Sequence, residues 1–261
     1  MKTTKLLKKI LNNTKKLKKR ADIILVEKKI ANTRSKAQAM IMAGQVSFAN
    51  KKIIKSGELF YPNTKVKISN LNPQWVSRGA YKLLHALEIF NIRVENKICL
   101  DIGASTGGFT EVLLKSKAKK VYSVDVGKNQ MHEKLKLEKK IINIEKTNAR
   151  FLNNKIIEDK IDLIVCDVSF ISMKKVIEPC INFLNSKSGI IIGLIKPQFE
   201  AQKKEVGRGG IVSKEYIHQR VCKEFIYWFE ENLRMKVIGI TKSPITGQKG
   251  NTEFLIASKF N

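Results

Sequence analysis

The stretch KICLDIGASTGGFTEVLLKSKAKKVYSVD, residues 97–125, decides the fold. Ile98, Cys99 and Leu100 form a short apolar run that ends at Asp101. A glycine-rich turn follows, with Gly103, Gly107 and Gly108. Phe109, Val112, Leu113 and Leu114 then fall in a helical stripe, and a second apolar run, Val121, Tyr122 and Val124, stops at Asp125. Strand, tight turn, helix and strand make a parallel βαβ unit. Ligands of such sheets sit beyond the carboxyl ends of the strands, where Asp101 and Asp125 stand. The glycines let the backbone approach a ligand closely.

The spacing fits a nucleoside. Asp125 lies 22 residues after Gly103, near the separation at which an acid meets a ribose hydroxyl. Ser105 occupies the second glycine position of G-x-G-x-x-G, which disfavours a pyrophosphate site. S-adenosylmethionine has a ribose and an amino-acid end but no phosphate. One acid then serves the ribose and the other the sulfonium or ammonium. The plain alternative is an ordinary βαβ turn with charged strand ends.

Further alternations extend the sheet. Ile141–Ile144 reads as a third strand, followed by Asn148, placed to approach an adenine ring. Ile161–Cys166 reads as a fourth strand ending at Asp167, and Met173–Leu184 as a helix. Gly189–Ile195 reads as a fifth strand ending at Lys196. Pro197 keeps Lys196 out of helical conformation, so no helix is expected to follow that strand directly. A long helix spans Ser213–Leu233, and Met235–Thr241 and Thr252–Ala257 close the sheet as a hairpin. The fold class is α/β: five parallel strands and a closing hairpin in a Rossmann-like, doubly wound domain.

One constellation carries chemistry. Asp167 ends strand four and Lys196 ends strand five. Glu253 begins the last strand; if that strand is antiparallel, its start lies on the same sheet edge. Lys82, on a helix read over Ser77–Phe90, reaches that edge. Two lysines and two carboxylates thus converge beside the cofactor site. Methyl transfer to a ribose 2′-hydroxyl needs a base that takes the hydroxyl proton. A lysine serves if a neighbouring cation or burial lowers its pKa. Lys82 is expected to do this to Lys196, with the carboxylates orienting both. The plain alternative is surface ion pairing, which is common in so lysine-rich a chain.

Composition sets bounds. The 261 residues hold 43% hydrophobic side chains and a net charge of +27, from 50 Lys+Arg against 23 Asp+Glu. That balance points to a polyanionic partner. Residues 1–69 carry 18 basic and 3 acidic side chains. No apolar run approaches the roughly 18 residues that span a bilayer, and the N-terminus lacks the pattern of a signal peptide. Cys99, Cys166, Cys180 and Cys222 form no C-x-x-C pair and read as reduced thiols of a cytoplasmic protein. No metal site is expected.

The chain divides into a basic N-terminal extension (1–19), a small α+β module (20–69), a linker (70–76) and the sheet domain (77–261). The extension carries eight lysines with leucines on one helical face. It is expected to be a partly ordered tail able to touch RNA or a membrane surface. In the module, a helix from Arg20 to Glu27, a second from Arg34 to Ala43 and a hairpin across Lys51 and Lys52 gather basic side chains. Trp75 is expected to pack between the domains.

Two family resemblances rest on these residues. R-A-D-I-I-L-V-E (20–27) and N-T-R-S-K-A-Q-A-M-I-M-A-G-Q-V (32–46) resemble the S4 RNA-binding domain. That resemblance implies RNA contact by Arg20, Arg34, Ser35, Lys36, Gln38, Lys51 and Lys52. The second rests on S-R-G-A-Y-K-L (77–83), D-I-G-A-S-T-G-G-F-T (101–110), C-D-V-S-F-I-S (166–172), L-I-K-P-Q-F-E (194–200) and G-x-T-E-F-L-I (250–256). These resemble the FtsJ-type methyltransferases, and with the front module the chain resembles the TlyA, or hemolysin A, group. The resemblance implies S-adenosylmethionine-dependent cytidine 2′-O-methylation in ribosomal RNA or ribosomal subunits. It implies catalytic residues Lys82, Asp167, Lys196 and Glu253, with cofactor contacts from Asp101, Gly103, Ser105, Gly107, Gly108, Phe109, Asp125, Asn148 and Asp167.

Three rivals are weighed. Gly103–Gly107 matches the G-x-S-x-G of hydrolases, with Asp167 and His218 following Ser105 in triad order. No oxyanion loop precedes it, and His85, His132 and His218 all read as helix residues. The second rival is a membrane-active haemolysin, motivated by the basic N-terminus and the group's other name. The third is an RNA-binding protein with an inactive sheet domain, against which the complete tetrad stands.

Overall fold

The computed structural model describes residues 17–42, 44–53, 55–68, 75–247 and 249–260. The tail read over residues 1–16 lies outside them. The chain forms two compact units, Met1–Gln74 and Trp75–Asn261.

In the first unit, β1 (Lys19–Arg20) pairs antiparallel with β4 (Leu59–Phe60). β2 (Val46–Phe48) pairs with both β3 (Lys51–Lys52) and β5 (Val66–Ile68). Lys19, read as part of the extension, belongs to this pairing. The helices α1 (Ala21–Glu27) and α2 (Arg34–Met42) form because each repeats apolar residues at helical spacing. Ala21, Ile24 and Leu25 of α1 and Ala37 and Ile41 of α2 are buried together with Phe48. Phe48 stacks on Phe60 at 4.2 Å.

The second unit is a seven-stranded sheet. Its strands are β6 (Ile98–Ile102), β7 (Lys120–Val124), β8 (Ile141–Ile144), β9 (Leu163–Cys166), β10 (Ile190–Ile195), β11 (Lys236–Lys242) and β12 (Phe254–Lys259). Their order is β11-β12-β10-β9-β6-β7-β8. The pairs among β10, β9, β6, β7 and β8 are all parallel. β12 is antiparallel to both β10 and β11, as the closing hairpin required.

Side chains alternate across this sheet with period 2. Cys99, Leu163 and Val165 face one core with Leu83, Val112 and Leu113. Leu100, Ile164 and Cys166 face the other with Ile177, Val221 and Phe225. The first core packs α3 (Ala80–Ile89) and α4 (Gly108–Lys115); the second packs α6 (Lys174–Ile177) and α8 (Glu215–Tyr227). The short helix α5 (Glu133–Lys136) and α7 (Pro197–Glu200) lie between strands in the chain.

Several expectations are corrected. The helix read over 173–184 is α-helical only to Ile177 and continues as 3-10 helix over Glu178–Phe183, because Pro179 supplies no N–H. The long helix near the end is α-helical over Glu215–Tyr227 and then π-helical over Trp228–Asn232. A helix does follow the fifth strand directly. Lys196 is extended (φ −115°, ψ 97°) and caps α7, whose first residue is Pro197. The proline restricts the residue before it yet is itself preorganised for the first helical position. Trp75 and Val76, read as linker, belong to the larger unit, and Trp75 sits in its core.

Candidate active site

Register brings the four charged residues together. Ile195 pairs with Phe254, so Lys196 and Glu253 are the next residues beyond the same rung. Asp167 follows Cys166, whose neighbours are Ile102 and Gly193. Lys82 arrives from the first turn of α3. Its Nζ lies 2.8 Å from Glu253 Oε2 and 3.4 Å from Asp167 Oδ2. Lys196 Nζ lies 2.5 Å from Asp167 Oδ1 and donates to Ser169 Oγ at 2.9 Å. Lys82, Lys196 and Glu253 are each less than 9% exposed.

Electrostatics distinguishes the two lysines. Burial works to lower the pKa of Lys82, but the Asp167 and Glu253 carboxylates outweigh it and hold that pKa above the ordinary value. Burial would raise the pKa of Asp167, yet Lys82 and Lys196 bring it below the usual carboxylate range. Asp167 therefore stands between the lysines as a shared counter-ion. The Asp167 and Glu253 carboxylates hold Lys82 as a cation.

Residues that the motif reading passed over hold this array. Arg78 Nη2 donates to Thr246 O at 2.9 Å, tying the approach to α3 to the loop before Glu253. Glu111 accepts from the Val76 backbone N–H at 2.6 Å and from Lys134 Nζ at 2.7 Å. Ser169 and the half-buried Glu200 stand inside the family motifs but have no role assigned there. Glu200 accepts from Met173 N at 2.8 Å, and burial raises its pKa. These partners lie 23 or more residues apart, and no local spacing marks them.

The glycine-rich turn adjoins the tetrad. Gly103 has φ +85°, and a Cβ there would sit 2.7 Å from the Asp167 carbonyl oxygen, so only glycine lets the two strand ends meet. Gly107 caps α4 at φ +92°, and Gly108 begins the helix. Asp125 accepts from Ser105 N at 2.8 Å and from Gly127 N at 2.7 Å. A carboxylate has about four lone-pair sites, so capacity for a ribose hydroxyl remains. Asn148 Oδ1 caps the 3-10 turn Ala149–Phe151 through Arg150 N at 3.1 Å. The neighbouring Thr147 N donates to Asp125 O, which brings Asn148 to the same strand end. Phe109, expected among the cofactor contacts, is 4% exposed, with its side chain packed in the core.

Asp101 is fully buried. Thr110 Oγ1 donates to its Oδ2 at 2.6 Å, and Thr110 in turn lies 2.8 Å from Ser123 Oγ. Its Oδ1 is buried without a hydrogen-bond partner. Burial raises its pKa to about 7. An orphaned carboxylate oxygen at a strand end, beside a turn held open by glycine, fits a ligand with a cationic end.

An aromatic pair flanks the tetrad. Phe170 is 90% exposed with φ +65°, and its ring lies 5.2 Å from that of Phe199. A phenylalanine in the left-handed region is strained. Both belong to the segments that carry Asp167 and Lys196.

The hydrolase reading finds no triad. His218 Nε2 is hydrogen-bonded to Val212 O at 2.9 Å, and its Nδ1 faces Glu215. Ser105 Oγ donates to Gln130 Oε1. His132 is the N-cap of α5 rather than a helix residue. Among the described residues, no group of histidine, cysteine or acidic side chains is placed to hold a metal.

In the first unit, Asp22 is a hub. Arg20 and Arg34 reach its carboxylate at 3.0 and 3.1 Å, and Gln38 at 2.9 Å. The Arg20 guanidinium above all, against the opposing effect of burial, holds Asp22 well below the usual carboxylate range. Lys51 pairs with Glu58, and Lys52 lies beside it on β3. The side chains of Ser35 and Lys36 lie outside the described residues.

A doubly wound sheet with this array at its carboxyl edge is a methyltransferase architecture, and the chain belongs to the FtsJ-like methyltransferase family, whose model matches residues 75–260. Its relatives are more particular. It is 42% identical over 224 residues to Hemolysin A of Brachyspira hyodysenteriae, covering 85% of this chain and 92% of that one. It is 38% identical over 238 residues to the 16S/23S rRNA (cytidine-2′-O)-methyltransferase TlyA of Mycobacterium tuberculosis, covering 91% and 88%. A solved structure from Streptococcus thermophilus carrying the hemolysin name matches with a TM-score of 0.72 at 37% identity, covering 94% of this chain and 89% of that one.

Proposed function

We propose that this protein transfers a methyl group from S-adenosylmethionine to a ribose 2′-hydroxyl, that of a cytidine, in ribosomal RNA. The observation that carries the reading is the buried Lys82–Asp167–Lys196–Glu253 array beside the Gly103 turn. When bound, S-adenosylmethionine supplies an electrophilic methyl group. Asp125 and Asn148 would hold its nucleoside, the Gly103–Gly108 turn would supply backbone contacts, and Asp101 would serve its cationic end.

Lys82, held by two carboxylates, remains an ammonium throughout. Lys196 has one carboxylate and one hydroxyl partner. As a neutral amine it accepts the proton of the 2′-hydroxyl while that oxygen takes the methyl group. Asp167 then holds the resulting ammonium. Phe170 and Phe199 offer a stacking surface for the base, an interaction that tolerates any base face. The first unit, through Arg20, Arg34, Gln38, Lys51 and Lys52 with Ser35 and Lys36, serves as an S4-like RNA-binding domain. The setting is the cytoplasm, where ribosomal subunits and reduced thiols occur.

The test is transfer of tritiated methyl from S-adenosylmethionine to isolated ribosomal subunits, followed by nucleoside analysis. Label in 2′-O-methylcytidine supports the reading; label in a base or none in RNA overturns it. A membrane-active role has less behind it. No helix among the described residues is long and apolar enough to cross a membrane. Dye release from liposomes tests it separately, including any surface contact by residues 1–19.

A further inference from the structure

A groove of about 680 Å³ opens on the sheet rim opposite the tetrad. Its cations are Arg93, Lys97, Lys236 and Lys259, over a floor that includes Phe90 and Val237, and no acidic side chain lines it. The register explains why these cations gather. Lys236 and Ile190 both pair with Lys259, and Lys97 immediately precedes β6, so all stand at the amino ends of the parallel strands. The tetrad stands at the carboxyl ends. A six-residue strand separates the rims by about 20 Å.

The four cations share one groove and are unspent. Among the described residues, none of them has a side-chain hydrogen bond or ion pair, whereas Lys82, Lys117, Lys120, Lys134 and Lys196 all do. Acids on the adjoining segments do not line the groove. Asp162, at the start of β9, accepts from Ile98 N, Glu95 pairs with Lys117, and Glu230 lies beside Arg234 on the far side of Lys236. Like charges held around one groove repel each other unless an anion joins them. The half-apolar floor accommodates lysine stems and a sugar face rather than a second protein's carboxylates alone.

We infer that this rim is a second RNA-docking surface, in which Arg93, Lys97, Lys236 and Lys259 take the phosphodiester backbone of the same RNA whose nucleotide is modified at the opposite rim. The inference rests on the reading of the protein as an RNA methyltransferase. Contacts of this kind position the chain and carry no sequence information. They act on RNA affinity and leave the chemical step alone.

The test uses the full chain with purified ribosomal RNA, and compares the parent with Arg93→Gln/Lys97→Gln/Lys236→Gln/Lys259→Gln. Each lost phosphate contact flattens the dependence of log affinity on log salt by about 1. The expected result is a flatter slope, a KM for RNA raised at least ~10-fold and an unchanged single-turnover rate at saturating RNA. A triple variant that spares the half-buried Lys97 gives the same direction if the quadruple variant misfolds, and unchanged S-adenosylmethionine affinity certifies the fold. Lys97→Arg/Lys236→Arg/Lys259→Arg keeps the parental slope. A parental slope and KM in the glutamine variants overturns the inference. So does retained RNA affinity with lost binding to anionic phospholipid vesicles, which assigns the rim to a membrane. If the parent transfers no methyl group, the function is wrong, while the binding slopes still test the groove.

Discussion

Lys82 Nζ lies 2.8 Å from Glu253 Oε2, joining the helix that precedes every strand of the large sheet to the strand that completes it. Both side chains are buried, at 10% and 3% exposure. Removing one partner of a buried pair leaves an uncompensated charge and costs roughly 3–5 kcal/mol. Asp167 still faces Lys82 at 3.4 Å in Glu253→Ala, so that variant is expected to lose stability by less than the full amount, as read from urea midpoints. Lys82→Met/Glu253→Met should recover part of the loss while remaining inactive. A double variant no more stable than either single one contradicts this pairing.

Asp101 gives the cofactor-free protein a specific pH dependence. Its folded pKa is about 7, against roughly 3.9 in an unfolded chain. Between those values the unfolded chain has released a proton that the folded one keeps. Stability from this group therefore falls as pH rises from about 4 to 7. Asp101→Asn should flatten that fall in denaturation curves taken across the window. An identical slope in parent and variant would show that Asp101 is ionised in the fold.

Asp22 is negative, yet its removal is expected to weaken RNA binding. It fixes Arg20, Arg34 and Gln38 in one arrangement, and Asp22→Ala frees all three. Charge alone predicts tighter binding to a polyanion. Filter binding to ribosomal RNA separates the two outcomes, and increased affinity would show that the cluster restrains the cations rather than presenting them. Its stability contribution also has a sign: Asp22 is held below its unfolded pKa, so the contribution is present above about pH 4 and lost as pH falls.

Phe170→Ala removes the exposed half of the aromatic pair. A stacked base is worth roughly 1–3 kcal/mol by alanine substitution. The expected outcome is a loss of that size in kcat/KM for RNA, with unchanged S-adenosylmethionine affinity by calorimetry. Relief of backbone strain at this position predicts that Phe170→Gly also loses activity while the fold gains stability. Full activity in both variants excludes a role in holding the target.

Much of this was legible in the chain because strands buried on both faces are written as short apolar runs bounded by charge. Asp101, Asp125, Asp167 and Lys196 each end such a run, so the sheet edge could be read before the sheet. The antiparallel return that delivers Glu253 was legible as the hairpin read across Met235–Thr241 and Thr252–Ala257. Other features are tertiary and leave no local trace. Pro179 breaks a helix whose apolar stripe continues across it. Arg34 and Gln38 looked like a free basic face, but Asp22 lies 12 and 16 residues away and meets both only after α1 and α2 pack. Phe109 shares a motif with residues expected to contact the cofactor, and its position in α4 places its side chain in the core. Lys82 was read as acting directly on Lys196, while the Asp167 carboxylate that faces both lysines is placed there only by the tertiary fold.

The central claim is that Lys196 is the base. Positioned general bases contribute roughly 10²–10⁴-fold, and a guanidinium stays protonated at any working pH. The direct measurement is the single-turnover methyl-transfer rate of Lys196→Arg at saturating S-adenosylmethionine and RNA. The account predicts a loss of at least ~10²-fold with both affinities retained. A near-parental rate contradicts it, because position 196 would then serve only as a positive charge beside Asp167.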